Sequence, residues 1–251
     1  MGEVASALVL AGSRGGVDPV AAYAGVAQKA LIELAGRTLL ERVLAALREA
    51  GIDRLAVSAS NPLVSEIARR QGARVLPAEA GPSLSARRGI EALGTPVLIT
   101  TADHALLRPE WIEAFLGSAP ADADICVLLA RRELVEAAAP GTRRTYLRFA
   151  DGDWSGCNLF LVRTDRGLAA IDLWRQVEAD RKKPWRIVRR LGAATLLRYL
   201  AGRLTLADAI ARLGGLCGAR AAVVPSPFGL AAVDVDKPAD LDLVRGLIER
   251  D

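Results

Sequence analysis

"ALVLAGSRGG", residues 7–16, carries an apolar run straight into a glycine-rich turn that holds one arginine. An unbroken apolar run closed by turn residues reads as a buried strand. Gly12, Gly15 and Gly16 open backbone conformations closed to other residues and let amide N–H groups come close to an anion, so phosphate is the guest this turn suggests. It is not a Walker A loop, because no Gly-Lys-Ser/Thr follows. Nor is it the dinucleotide fingerprint, whose G-x-G-x-x-G spacing is missing. A long segment, VDPVAAYAGVA (17–27), intervenes before Lys29.

Outward from this turn, short apolar runs alternate with helical patterns. TLLERVLAALREAG (38–51) predicts an amphipathic helix closed by glycine, RLAVSAS (54–60) a strand, PLVSEIARRQG a helix, ARVLPA a strand, SLSARRGIEALG a helix, and PVLITTAD (96–103) a strand ending in a carboxylate. RPEWIEAFLGS continues as helix, and ADICVLLA and NLFLVRT as strands. Such alternation predicts an α/β fold with a mostly parallel sheet wrapped by helices, in which ligands gather at the carboxyl ends of the strands. Gly12 and Asp103 fall there. From about 164 to 218 the pattern is helical alone, and RAAVVPS and LAAVDV then return as strands. The expectation is one domain over 1–251 with a helical, Arg-rich insertion at about 164–218.

With 251 residues, 51% of them hydrophobic, the chain can bury a substantial core. Three widely spaced cysteines (Cys126, Cys157, Cys217) give neither a disulfide framework nor a zinc pattern, which suits a reducing cytosol. No run approaches the roughly 20 apolar residues of a membrane span, and no secretory signal pattern opens the sequence. The net charge of +4 is concentrated: residues 181–203 hold eight Arg or Lys and no acid, and the remainder is slightly acidic. That distribution argues against nucleic acid, whose binders spread basic and aromatic residues along a face. Arg186, Arg189 and Arg190 fall on one helical side, beside Trp185, Leu196, Leu197, Tyr199 and Leu200. They would grip a phosphorylated acceptor, lie peripherally on anionic lipid at the inner face of a membrane, or simply be solvated.

Four stretches together resemble one family. LVLAGSRGG followed by QKALIELAGRTLLERV (28–43), GPSLSARRGIEAL (81–93), VLITTADHALL (97–107) and AVDVDKPADLDLV (232–244) are similar, in this order, to the motifs of MobA-like NTP transferases. These are nucleotidyltransferases akin to molybdenum cofactor guanylyltransferases and sugar-phosphate nucleotidylyltransferases. The resemblance implies a three-layer, Rossmann-like fold of GT-A type. It also implies Mg²⁺-dependent transfer of NMP from an NTP to a phosphorylated acceptor, with pyrophosphate released. Leu10, Ala11, Gly12, Ser13, Gly15, Gly16, Ser83 and Ser85 would then contact the nucleotide. Lys29, Asp103 and Arg14 would carry catalysis, and Asp103 with Asp234 and Asp236 would hold the metal. Gly156 and Asn158, in WSGCNLFLV, resemble the Gly-x-Asn element of the acceptor pocket. The loop departs from the usual Gly-x-Gly-x-Arg, since Arg14 comes early, and Ala105 stands where a proline is common.

That set suits the chemistry. Two anions must meet in line while charge grows on the leaving oxygen, so amide donors, a fixed cation and a metal matter more than a proton shuttle. One histidine, His104, and no serine or cysteine nucleophile with a histidine partner agree with this. Ser83 or Ser85 could equally be a plain helix N-cap. Asp240 belongs in the first turn of a helix after Pro238. Two other readings remain open at this point. A nucleotide-sugar glycosyltransferase would place its Asp-x-Asp at mid-chain, where Asp103 stands alone. A non-catalytic nucleotide-binding or membrane-adaptor protein would rely on the basic insertion.

Overall fold

A computed structural model describes residues 4–13, 15–180 and 192–250, with the side chains of 175–180 left aside. Arg14, Trp185, Arg186, Arg189 and Arg190 lie outside the described residues. In chain order come β1 (Ser6–Ala11), α1 (Pro19–Tyr23), a 3-10 turn (Lys29–Leu31), the hairpin β2 (Glu33–Leu34) and β3 (Arg37–Thr38), α2 (Leu39–Glu49), β4 (Arg54–Ala59), α3 (Pro62–Arg70), β5 (Arg74–Pro77) and α4 (Pro82–Leu93). There follow β6 (Val97–Thr101), α5 (Pro109–Ser118), β7 (Ile125–Arg131), α6 (Arg132–Ala138), β8 (Leu147–Phe149) and β9 (Gly152–Val162). The chain closes with α7 (Gly167–Asp180), α8 (Ala193–Leu200), α9 (Leu206–Leu216), β10 (Ala221–Ser226), a second 3-10 turn (Gly229–Ala232) and α10 (Pro238–Ile248).

The main sheet runs β10-β7-β9-β6-β1-β4-β5. All neighbours pair in parallel except β9, which is antiparallel to both β6 and β7 and also pairs with β8. β1 is central, and alternate residues point to opposite faces. Ala7, Val9 and Ala11 join a layer containing Leu44 and Leu47 of α2, Val64 of α3, Phe115 of α5 and Val244 of α10. Leu8 and Leu10 join the opposite layer with Ile90 of α4 and Ile171 of α7. A strand covered on both faces must be apolar throughout, which is why residues 7–11 show no alternation.

Local chemistry starts and stops the helices. Thr38 caps α2 through a capping box with Glu41, and Gly51, at φ +79°, follows its end. Asn61 caps α3 with Pro62 in the first turn. In the loop after β1, Asp18 accepts hydrogen bonds from the Val20 and Ala21 amides at 2.8 and 3.0 Å and so starts α1, within the segment 17–27.

Two readings change. LAAVDV is not a strand: Gly229–Ala232 forms a 3-10 turn, and the following segment bonds to the residue two beyond β6, Val235 N to Asp103 O at 3.1 Å. The reason is position, since beyond the end of β6 that segment has no full strand to ladder against. Neither Ser83 nor Ser85 caps α4; Gly81 is its N-cap and Pro82 opens its first turn.

α9 presses on the start of β10 at Gly214, where an added Cβ would lie 2.7 Å from the Ala221 amide nitrogen and 2.8 Å from the Ala221 Cβ. Backbone cannot swing aside as a side-chain tip can. Gly214→Ala should therefore lower stability by about 1–3 kcal/mol in a urea titration, as overpacking does. An unchanged midpoint would contradict this packing.

Candidate active site

A cleft of about 440 Å³ opens at the carboxyl ends of β1 and β6. Leu10, Ala11, Gly12, Ser13, Gly15 and Gly16 line one side of it. Gly16 has φ +98°, a left-handed conformation that a side chain would strain, and Gly12 passes so near Ala78 that an added Cβ would sit 3.1 Å from the Ala78 Cβ. Buried Gln28 steadies this turn, its Nε2 donating to the Ala11 carbonyl at 2.5 Å. On the opposite wall stand Glu79, Gly81 and Ser85. The Ser85 hydroxyl accepts from the Glu79 amide at 2.9 Å, which orders that wall. Ser83 is buried in the first turn of α4 and is not part of the lining.

The third wall carries the charge. Lys29 begins the first 3-10 turn, which Ala30 anchors in the core. Its Nζ donates to Asp103 Oδ2 at 2.5 Å and to Asp236 Oδ1 at 3.2 Å. Asp103 sits two residues beyond β6, Asp236 just before α10, and both line the cleft with Lys29. Asp234, two residues from Asp236, is held from behind. Asn158 Nδ2 donates to its Oδ2 at 2.6 Å, and Arg144 pairs with its Oδ1 while donating to its backbone carbonyl at 3.0 Å. Arg144, whose side chain is only 7% exposed, also lies 3.5 Å from Asp240. Asp240 in turn accepts from the Asp236 and Lys237 amides, both at 3.1 Å, and so fixes the turn that presents Asp236.

One carboxylate oxygen from each of Asp103, Asp234 and Asp236 falls within 4.8 Å of the others. Burial works to lower the Lys29 ammonium, but Asp103 and then Asp236 overcome it and raise the group above its ordinary value. Burial likewise works to raise the Asp103 carboxyl, and the Lys29 charge wins and holds it below the usual range. Both are therefore ionised at neutral pH. The other Asp103 oxygen, Oδ1, is buried without a hydrogen-bond partner. Oxygen donors in this number, one of them unsatisfied, suit a small divalent cation that also binds phosphate.

The residues read from sequence thus separate. The glycine turn, Ser85, Lys29, Asp103 and Asp236 share one cleft, whereas Asn158 reaches the cluster only through Asp234. Gly156 is exposed on β9 with open space about it. The Asn158 backbone is left-handed, φ +50°, where β9 carries two more residues than β7 between paired positions. Trp154 is buried under the Arg131 guanidinium and Trp174 stacks on Phe160, so both pack. Sequence reading missed Gln28 and Arg144. Neither belongs to a periodic pattern, and Arg144 is one arginine among several in an irregular loop; only its place beside Asp234 and Asp240 in space marks it.

A glycine turn, a lysine and a carboxylate cluster at the carboxyl end of this sheet are the features of the nucleotidyltransferase class. The chain belongs to the family described as MobA-like NTP transferase domain, whose model matches residues 7–188. A hypothetical transferase from Thermus thermophilus is 34% identical, with a TM-score of 0.80 over 94% of this chain and 98% of that one. A nucleotidyl transferase from Methanothermobacter (20% identity, TM-score 0.58, 98% and 97% covered) shares the fold. So does CMP:2-keto-3-deoxy-manno-octonic acid synthetase complexed with CTP (17%, 0.58, 98% of each chain). No curated protein sequence matches the chain.

His104, beside Asp103, is fully buried, its ring 6.1 Å from that of Trp111. Burial pushes its imidazole from 6.5 down to about 4, against the attraction of Asp103. The unfolded chain takes the proton near pH 6.5 and the folded chain only near 4, so this contribution is complete above 6.5 and is lost as pH falls to 4. Stability should drop by on the order of 3 kcal/mol across that window. His104→Phe should flatten that part of the curve in denaturation at graded pH; an equally steep curve would refute it.

Proposed function

We propose that this protein transfers a nucleoside monophosphate from an NTP to a phosphorylated small-molecule or lipid-linked acceptor, with Mg²⁺ required and pyrophosphate released. The observation that carries this reading is the meeting of Lys29 with Asp103 and Asp236 at the end of the glycine-turn cleft. In it, backbone amides from Ser13 to Gly16 cradle the triphosphate. Leu10, Ala11 and Ser85 shape the nucleoside end, with Ser83 buried in the first turn of α4, and Arg14 joins Lys29 in offsetting charge. Asp103 and Asp236, with Asp234 behind them, would hold Mg²⁺, which supplies charge neutralisation at the triphosphate oxygens. Gly156 and Asn158 face the acceptor.

The acceptor's phosphate oxygen attacks the α-phosphorus, the bond from that phosphorus to the bridging oxygen of the β-phosphate breaks, and pyrophosphate leaves with the electron pair. A phosphate monoester has a second pKa of about 6 and arrives ionised, so no protein base has to take a proton. Buried, neutral His104 is consistent with that economy.

The experiment is a thermal-shift panel of CTP, GTP, UTP and ATP with Mg²⁺, followed by pyrophosphate release with phosphorylated acceptors. CTP comes first, because one structural neighbour was complexed with CTP and another, from Anaerococcus prevotii, is a 4-diphosphocytidyl-2C-methyl-D-erythritol synthase (13% identity, TM-score 0.60, 98% of each chain). At a hundredfold excess over Kd the matching triphosphate stabilises the fold by about 2.7 kcal/mol. Asp103→Asn should slow pyrophosphate release by about 100-fold or more. Four flat melting curves would overturn the reading.

Free thiols at Cys126, Cys157 and Cys217 fit a cytosolic setting. Among the described residues no helix is long and apolar enough to cross a membrane. α8 supports a peripheral contact: it exposes Leu197 (66%) and Leu200 (71%) and belongs to the sequence tract 181–203, which holds eight cations and no acid. Co-sedimentation should occur with vesicles rich in phosphatidylglycerol, fail with pure phosphatidylcholine, and be lost in Leu197→Glu/Leu200→Glu. Equal binding to both vesicles, or none, would remove this contact.

A further inference from the structure

We propose that the Lys29 ammonium is the resident counter-ion of the carboxylate cluster, and that it keeps a divalent cation out until a triphosphate draws it away. This rests on the metal-dependent reading above and adds an order of events to it. Asp103, Asp234 and Asp236 bring three carboxylates within 4.8 Å of one another. Both oxygens of Asp234 are already engaged, one by Arg144 and one by Asn158. That leaves Asp103 and Asp236 for an entering cation, and Lys29 spans this pair, at 2.5 Å and 3.2 Å.

Asp103 Oδ1 is buried, so a cation arriving through the cleft meets Oδ2, and an ammonium at 2.5 Å from that oxygen and a Mg²⁺ at its bonding distance of about 2.1 Å cannot share it without two cations in contact. One must leave. The Lys29 side chain is only 20% exposed, so displacing it by metal alone would strand a largely buried ammonium next to a double positive charge. A triphosphate changes the balance. Its oxygens would enter the cleft that Lys29 already lines, and the ammonium would exchange carboxylate partners for phosphate partners without becoming unpaired. Metal and triphosphate then favour each other through one side chain, and the coupling is reciprocal.

The test measures Mn²⁺ binding to the full chain without nucleotide, by electron paramagnetic resonance of the free ion. Wild type should bind weakly. Lys29→Gln and Lys29→Met should each bind about tenfold tighter, a typical size for such coupling. Lys29→Arg, which keeps the charge, should remain like wild type, and Asp103→Asn in the Lys29→Gln chain should erase the gain, placing the ion at the cluster. The proposal is overturned if a folded Lys29→Gln or Lys29→Met chain binds Mn²⁺ no tighter than wild type. It is also overturned, whatever the variants do, if wild type binds Mn²⁺ as tightly without a triphosphate as with one, by water-proton relaxation. Failure of the underlying function looks different: no Mn²⁺ on any chain, with or without each of the four triphosphates, removes the metal site itself and this proposal with it.

Discussion

The structure depends on reconciling like charges. Two unit charges at 4.8 Å repel by about 3 kcal/mol at an effective dielectric constant of 20, and three carboxylates reach that proximity here. They persist because two cations come from elsewhere in the chain: Lys29 from the turn after α1, and Arg144 from the loop before β8. Each cation does a different job. Lys29 faces the cleft and spans two carboxylates, whereas Arg144 stands behind and secures Asp234 and Asp240 as a unit.

The sheet makes this convergence possible. β1 and β6 are parallel neighbours, so the glycine turn and Asp103 emerge side by side. The Val235–Asp103 backbone bond then brings the closing segment to the same edge. Antiparallel β9 sends Asn158 to Asp234 from the other flank. The backbone thereby fixes the spacing of charged groups that would otherwise move apart.

Much of this was legible in the residues alone. Strand and helix order followed from apolar runs such as 7–11 and 97–99, because burial on both faces of a parallel sheet leaves an unbroken apolar signature. Asp103 was visible as a carboxylate directly after a strand. β9's direction was not legible, since an antiparallel strand inside such a sheet carries the same apolar pattern as a parallel one. Arg144 and Gln28 escaped for a related reason: each acts through partners far along the chain, and pairing at that range leaves no local period. The closing Asp-Val-Asp segment looked like a strand because its composition is strand-like; what it lacks is a neighbour to ladder with.

Asn158 shows how little freedom one position can have. Its left-handed backbone admits asparagine, aspartate or glycine with little strain and penalises the rest. Its amide donates to Asp234, which glycine would leave without that bond and aspartate would oppose with a second negative charge. The two filters overlap at one amino acid. Drift at this site is thereby closed off by the bend in β9 as much as by chemistry, and descendants of this gene could change residue 158 only by first reshaping the strand beneath it.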